Sequence, residues 1–264
     1  MSPLPPISQD SIMMAARNKL QKLFTKVGMP ESHGMTHCLV VLGHMEKAIS
    51  SADPSMTKLL TPDMVLSLKL ASLLHEADDH KYFKNSTNAR DILKEVIPAD
   101  DSKDKIISDV EEMISYVSAS SNGNTVPTIA LSNPTFLWPR FCDRLEAIGV
   151  VGAVRCYQYN RETTAPLMIA TTPRPTTEQE MWMEVTEARW RKYQQGGNSI
   201  SMMDHYYDKL LQIAHFDPAV VANSYLQGEA AKRVQPLMEI CLEAGRTGKV
   251  PVEMLERYER ELAV

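Results

Sequence analysis

The chain has 264 residues, 44% hydrophobic and 23% charged, with a formal net charge of -5 and only five Phe and three Trp. That length supports one large core, or a core with a helical extension, and the apolar runs are far too short to cross a bilayer. An acidic balance with no dense Lys/Arg block gives no field for long nucleic acid, which leaves a small molecule as the expected partner, including a small anion held by local cations or a metal.

The opening stretch MSPLPPISQD reads as a short flexible tail over residues 1–10. It lacks the basic flank and apolar core of a secretory signal, so a cytoplasmic location is expected. The four cysteines, Cys38, Cys142, Cys156 and Cys241, are widely spaced. Without a Cys-x-x-Cys unit they read as isolated buried thiols, neither a disulfide framework nor a thiolate metal site.

A first helix is predicted from about Ser11 to Val27, where Ile12, Ala16, Leu20, Leu23 and Phe24 recur at helical spacing. Gly28, Met29 and Pro30 end it. The second begins near Ser32 or His33 and runs to about Ser50 on a stripe of Leu39, Leu42, Met45 and Ile49. Thr61, Pro62 and Asp63 start a third, because proline in the first helical turn forfeits no hydrogen bond. That helix carries Leu66, Leu68, Leu70 and Leu73 into His75. A polar loop from His80 precedes a short helix capped by Thr87 or Asn88 and stopped by Pro98. Helical periodicity returns from Asp101 to Ser118 and, after a loop, from Pro134 to Gly149. The apolar run Val150 to Tyr159 fits a continuing helix or a strand. Residues 161–175, rich in Thr and Pro, read as a long surface or active-site loop. Helices are then expected over 176–195, 199–216, 218–245 and 251–262, with Gly196, Gly197 and Asn198 as one break. The fold class is all-α, as one domain. Met181, Met183, Met202 and Met203 fit adaptable helix packing.

His33, His37 and His44 would share one face of the second helix. Spacing alone does not distinguish ligands from ordinary helix histidines. His75 and Glu76, however, follow the apolar run LKLASLL, so ionisable groups sit at the end of a buried helix. Desolvation is costly there unless a cation offsets it. Asp78, Asp79, His80 and Lys81 come next. Asp143 lies in an equally apolar setting after TFLWPRF, where Arg140 or Arg144 offers a salt bridge as the alternative to a metal. His44 and His215 lack comparable partners and read as structural.

The ordered motifs HCLVV, LLHEADDHKYF and CDRLEAIGVVGA resemble the HD-domain superfamily, whose members are mostly metal-dependent phosphohydrolases. The resemblance covers about residues 28–160, and is weaker around MDHYYDKLLQIAHF at 203–216. It implies an HD-domain-like helical bundle with a carboxy-terminal helical extension over about 176–262. His37, His75, Glu76 and Asp143 would hold a divalent ion, with Mn, Fe, Co or Zn suited to mixed imidazole and carboxylate ligands. Asp79 would be the general acid or base, with Asp78 as fallback. His33 would meet substrate or join a second metal position, for which Asp79 and His80 are also available. Lys81, Arg140, Arg144, His205 and Lys209 are candidate substrate contacts. The departure is Glu76, where the superfamily doublet has Asp.

The leading expectation is a metal-dependent phosphohydrolase acting on a nucleotide or other small phosphate ester. The rivals are a dinuclear-iron oxygenase or lyase and a helical binding protein that has lost catalysis. An amphipathic helix serves its own core or a partner equally well, so the pattern does not fix the oligomeric state.

Overall fold

The structure is a computed structural model that describes residues 8–31, 33–84, 87–196 and 198–262. The expected helix start at Ser32, the break at Gly197 and most of the amino-terminal tail lie outside the described residues. Within them, all regular structure is helical and no strand occurs. No helix among them is long and apolar enough to cross a membrane. The chain divides into two compact units. The first comprises residues 1–118, 126–143 and 218–225, and the second residues 119–125, 144–217 and 226–264.

In the first unit, α1 (Gln9–Val27) buries Ile12, Ala16, Leu20 and Phe24 at spacings of four. Ser8 caps it by accepting a hydrogen bond from the Ser11 N–H at 3.2 Å, and Gly28 closes it at φ 64°. Next come α2 (Met35–Ser50) and α3 (Pro62–Leu74). Thr61 caps α3 through the Met64 N–H. Nine of the thirteen residues of α3 are buried, among them Leu66, Leu68, Leu70, Leu73 and Leu74. A helix apolar on every side belongs at the centre, and α3 packs against α1, α2 and α5 (Lys103–Ser115), with α4 (Asn88–Val96) against α1 and α5. A 3₁₀ turn, Pro134–Leu137, feeds α6 (Trp138–Ala147). The buried Trp138 indole N–H donates to the Val221 carbonyl at 2.9 Å, and Asn223 donates to the Ala48 carbonyl at 2.9 Å. These bonds tie residues distant in sequence into this unit.

The second unit takes over after Asp143, part-way along α6. The run at Val150, ambiguous between helix and strand, forms α7 (Val150–Thr163). Ala153, Val154, Tyr157 and Asn160 are its buried stripe, a period that a strand could not place on one face. The unit also holds α8 (Glu187–Gly196), most of α9 (Ser224–Thr247) and α10 (Val252–Leu262). Gln158 donates to Glu259 at 2.8 Å, where α7 packs on α10. The helix expected over 199–216 contains one wide π turn, Tyr206–Leu210.

The stretch from Thr164 to Thr177 has no helix, as its Thr/Pro content predicts, although α7 extends to Thr163. It is anchored inward. Thr172 donates to the buried Asp204 carboxylate at 2.7 Å, which also accepts from Ser201 and pairs with Arg189.

Gly149 joins α6 to α7 at φ 82°, ψ -152°, a conformation nearly confined to glycine. An added Cβ would stand 2.4 Å from the Arg233 carbonyl oxygen. Gly149→Ala is therefore expected to destabilise by more than about 2 kcal/mol. Gly43→Ala is the opposite case: it lies inside α2, where a Cβ meets nothing within 4 Å. That change should be neutral or stabilising by up to about 1 kcal/mol. Urea denaturation of both variants checks the pair.

Candidate metal centre

Three stretches of the first unit meet at the carboxyl end of α3. Gly34 starts α2 with no side-chain cap, which puts His37 in its first turn. α3 ends at Leu74, and His75 retains helical angles (φ -59°, ψ -24°) before a turn closed by the Ala77 N–H on the Leu74 carbonyl. Glu76 lies in that turn. Asp143 comes from the middle of α6.

The result is a converging set. His37 Nε2 lies 3.1 Å from His75 Nε2. Asp143 Oδ1 is 3.2 Å from His37 Nε2 and 3.6 Å from His75 Nε2. Glu76 Oε1 is 3.6 Å and 3.7 Å from the same two nitrogens. One donor atom from each of the four residues falls within 4.8 Å of all the others. The imidazoles and Glu76 are buried, and the Asp143 side chain is 25% exposed.

The donor chemistry fits a cation. His75 Nδ1 lies 2.9 Å from the Ser72 carbonyl. A carbonyl only accepts, so the proton of neutral His75 is on Nδ1 and the Nε2 lone pair faces the cluster. His37 also turns Nε2 inward, while its Nδ1 is buried without a hydrogen-bond partner. Among the described residues no Lys or Arg pairs with Glu76 or Asp143. Two neutral imidazoles and two carboxylates thus carry two negative charges in a mostly buried space, which a divalent ion neutralises.

Without an ion the cluster holds a proton instead. Burial pushes the His75 pKa down, but the Asp143 hydrogen bond and the charges of Asp143 and Glu76 outweigh it, raising the value to about 9. Burial likewise opposes ionisation of Asp143, yet hydrogen bonds from His37 and His75 bring it well below the ordinary range. For Glu76 burial is again overcome, by His33 and His75, and its pKa is lowered. Two thiols border these ligands in sequence, Cys38 and Cys142. Burial, helped by the nearby carboxylates, pushes both pKa values up and keeps them out of the donor set.

A second group adjoins the first. His33 Nδ1 is 2.8 Å from Glu76 Oε1, and His33, Glu76 and Asp79 also offer donor atoms within 4.8 Å of one another. Asp79 accepts from the Lys81 backbone N–H at 2.8 Å. The Tyr82 ring lies 5.8 Å from that of His33. Tyr82 is a neighbour of this group that its sequence context signals only by a spacing of three from Asp79.

The remaining candidates lie elsewhere. Asp78 caps α4, accepting from the N–H groups of Asn88 at 2.7 Å and Ala89 at 3.3 Å, and burial raises its pKa. His80 is 86% exposed at 3.7 Å from Asp79, and Lys81 is exposed. Arg140 is buried and donates to the Tyr116 carbonyl at 2.7 Å. Arg144, in the second unit, donates to Asn124 and to the Gly123 carbonyl. His205 and Lys209 also belong to the second unit, where both approach the Tyr193 ring and burial drops the His205 pKa to about 4. His44 is buried against the Tyr225 hydroxyl at 2.7 Å, as a structural reading expects. His215 lines a cavity of about 540 Å³ with Trp182 and Gln212.

The chain is 33% identical over 219 residues to the uncharacterized protein L803 of Acanthamoeba polyphaga mimivirus, an alignment spanning 78% of this chain and 86% of that protein. The chain belongs to the family of this mimivirus protein. No family model matches it. Among solved structures, a Lactobacillus plantarum protein superposes with a TM-score of 0.57 at 17% identity, covering 98% of this chain and 99% of the other. The Lin1889 protein of Listeria innocua does so at a TM-score of 0.50 and 19% identity, with the same coverage. The chain therefore shares its fold with these two proteins at identities that speak for the fold alone.

The pH dependence of the ion-free protein follows from His75. Its folded pKa of about 9 lies above the ordinary 6.5, so its stabilising contribution is complete below about pH 6.5 and is lost as pH rises through about 9. With chelator present, Tm should fall between those values, and His75→Gln should flatten the slope. An equal slope in wild type and variant would show that His75 does not carry the proton.

Proposed function

We propose that the protein is a metal-dependent phosphohydrolase acting on a nucleotide or another small phosphate ester. The observation that carries this reading is the convergence of His37, His75, Glu76 and Asp143 at mutual donor distances within 4.8 Å, with no Lys or Arg among the described residues paired with Glu76 or Asp143. The resemblance of LLHEADDHKYF and CDRLEAIG to HD-domain signatures supports the same reaction class. Imidazole and carboxylate ligands together favour Mn, Fe, Co or Zn over Ca. When bound, the ion supplies Lewis acidity, which acidifies a water and neutralises charge building on a phosphoryl oxygen.

The chain's own residues supply the rest. His37 and His75, the latter fixed by the Ser72 carbonyl, would hold the ion together with Glu76 and Asp143. Asp79 is mostly sheltered at 13% exposure, and the Lys81 N–H fixes one of its oxygens. Its other oxygen takes the proton from the attacking water as the new P–O bond forms and the ester P–O bond breaks. Asp78 is unsuited to this role because both its oxygens are engaged in capping α4. Burial of the imidazoles keeps bulk water from competing for the ligands.

Metal analysis after purification without chelator or metal-affinity resin, followed by a phosphate-release screen over nucleotides and sugar phosphates, tests the reading. We expect bound transition metal and turnover of at least one ester, both lost in His75→Ala. Asp79→Asn should keep the ion at the four-residue centre while kcat drops about 10²–10⁴-fold. Protein that takes up no divalent ion on loading would overturn the proposal, and full turnover by Asp79→Asn would remove that residue from it.

A further inference from the structure

We propose that the cavity lined by Trp182, Val185, Gln212 and His215 binds a purine base, taking it as the adenine of a nucleoside. All of these residues belong to the second unit. The site shares no residue with the metal centre and stands independently of the metal reading.

Two short elements build it. Thr177 opens the short helix Glu178–Met183 with a capping box, its side chain accepting from the Glu180 N–H while the Glu180 carboxylate accepts from the Thr177 N–H. That helix buries Met181 and leaves Trp182 only half-buried, and the Val185 N–H closes on the Trp182 carbonyl at 3.2 Å. The other wall comes from the helical stretch Leu211–Ile213, directly after the π turn Tyr206–Leu210. Such wide turns are rare and recur at functional sites.

The hydrogen bonding of Gln212 carries the inference. The residue is 8% exposed. Its Nε2 lies 2.7 Å from the Thr186 carbonyl. A carbonyl only accepts, so the amide nitrogen stands there and Oε1 is the atom left over. Among the described residues nothing donates to that oxygen. The Gln212 backbone carbonyl, by contrast, accepts from Asn124 Nδ2 at 3.0 Å, and Asn124 Oδ1 accepts from Arg144 at 2.8 Å. Asn124 is thereby committed to holding the wall. A buried amide oxygen with no donor is costly, and a ligand N–H in the cavity removes the cost. The Trp182 indole N–H likewise meets no acceptor among the described residues.

The lining selects the ligand. It contains no Lys, Arg, Asp or Glu, so it suits a neutral group and not a phosphate. It presents one acceptor, Gln212 Oε1, one donor, the Trp182 N–H, and aromatic surface from Trp182 and His215. Adenine is complementary to that set, because its amino group donates, its ring nitrogens accept, and its flat faces stack on aromatic rings. The volume of about 540 Å³ lies within the range of about 300–1,000 Å³ found for small-molecule sites. Asn124 and His215 are exposed at the rim, where a ribose reaches solvent.

Adenosine is the probe, since it carries no phosphate for the metal centre to hold. Of the three tryptophans, Trp138 and Trp190 are buried at 0% and 6% exposure, so quenching of tryptophan fluorescence reports on Trp182. Calorimetric titration of the metal-loaded protein should give one site with a Kd below about 1 mM, with quenching at the same midpoint. His75→Ala should bind adenosine as wild type does. Purine riboside, which lacks only the amino group, should bind about 10-fold more weakly. Trp182→Ala should abolish binding. Trp182→Phe, which keeps an aromatic ring without the N–H, should weaken it about 10-fold and serves as the second variant should Trp182→Ala fail to fold. No saturation by about 1 mM, equal affinity for adenosine and purine riboside, or unchanged affinity in the Trp182 variants each overturns the proposal and leaves the metal reading untouched. Binding lost in His75→Ala but kept in the Trp182 variants would place adenosine at the metal centre and overturn it too.

Discussion

Two imidazoles and two carboxylates face one another where α3 ends, and their lone pairs cannot share a buried space without a proton or a cation among them. Much of the first unit serves to create that situation. α3 is apolar on almost every side and is wrapped by α1, α2 and α5, so its last residues arrive at the site already shielded from water. A helix with a polar face would have delivered the same two side chains to solvent, where they would repel no cost and attract no ion strongly.

The same constraint explains the neighbours. Cys38 and Cys142 each adjoin a ligand, and the carboxylate charge that attracts a cation also disfavours their thiolates. Asp78 and Asp79 are adjacent in sequence yet divided in task. One caps the N-terminus of α4 and so fixes the turn after Glu76, while the other keeps its carboxylate beside His33. Holding the turn with one acid frees its neighbour for chemistry, a division that a run of acidic residues does not announce.

The helices were mostly legible. Thr61 and Gly28 mark real helix ends, and the stripe Ile12, Ala16, Leu20 and Phe24 is the buried one, but α1 starts at Gln9, capped by Ser8, inside the stretch expected to be a flexible tail. Less legible were the places where a helix gives way to something tighter or wider, such as the 3₁₀ turn at Pro134 and the π turn at Tyr206. Those depend on packing rather than on local periodicity. Of the site residues, His75, Glu76 and Asp143 stood out because they follow apolar stretches, whereas His37 stood out only through the resemblance of HCLVV to an HD-domain motif. The roles of Arg140 and Arg144 did not stand out, since both guanidiniums are spent on backbone carbonyls that only the fold brings near.

The sequence by itself determined the all-helical class, the helix ends set by caps and glycines, and which ionisable residues would be carried into apolar surroundings, because periodicity and capping are properties of neighbouring residues. Only the tertiary structure decided that Asp143 meets His37 and His75 instead of an adjacent arginine, that Asp78 is spent on a cap, and that Glu76 lies within reach of His33 as well as of His37 and His75. Those outcomes join residues beyond the reach of a single helical turn. Their distances are set by how α2, α3 and α6 pack, a quantity that no local pattern encodes.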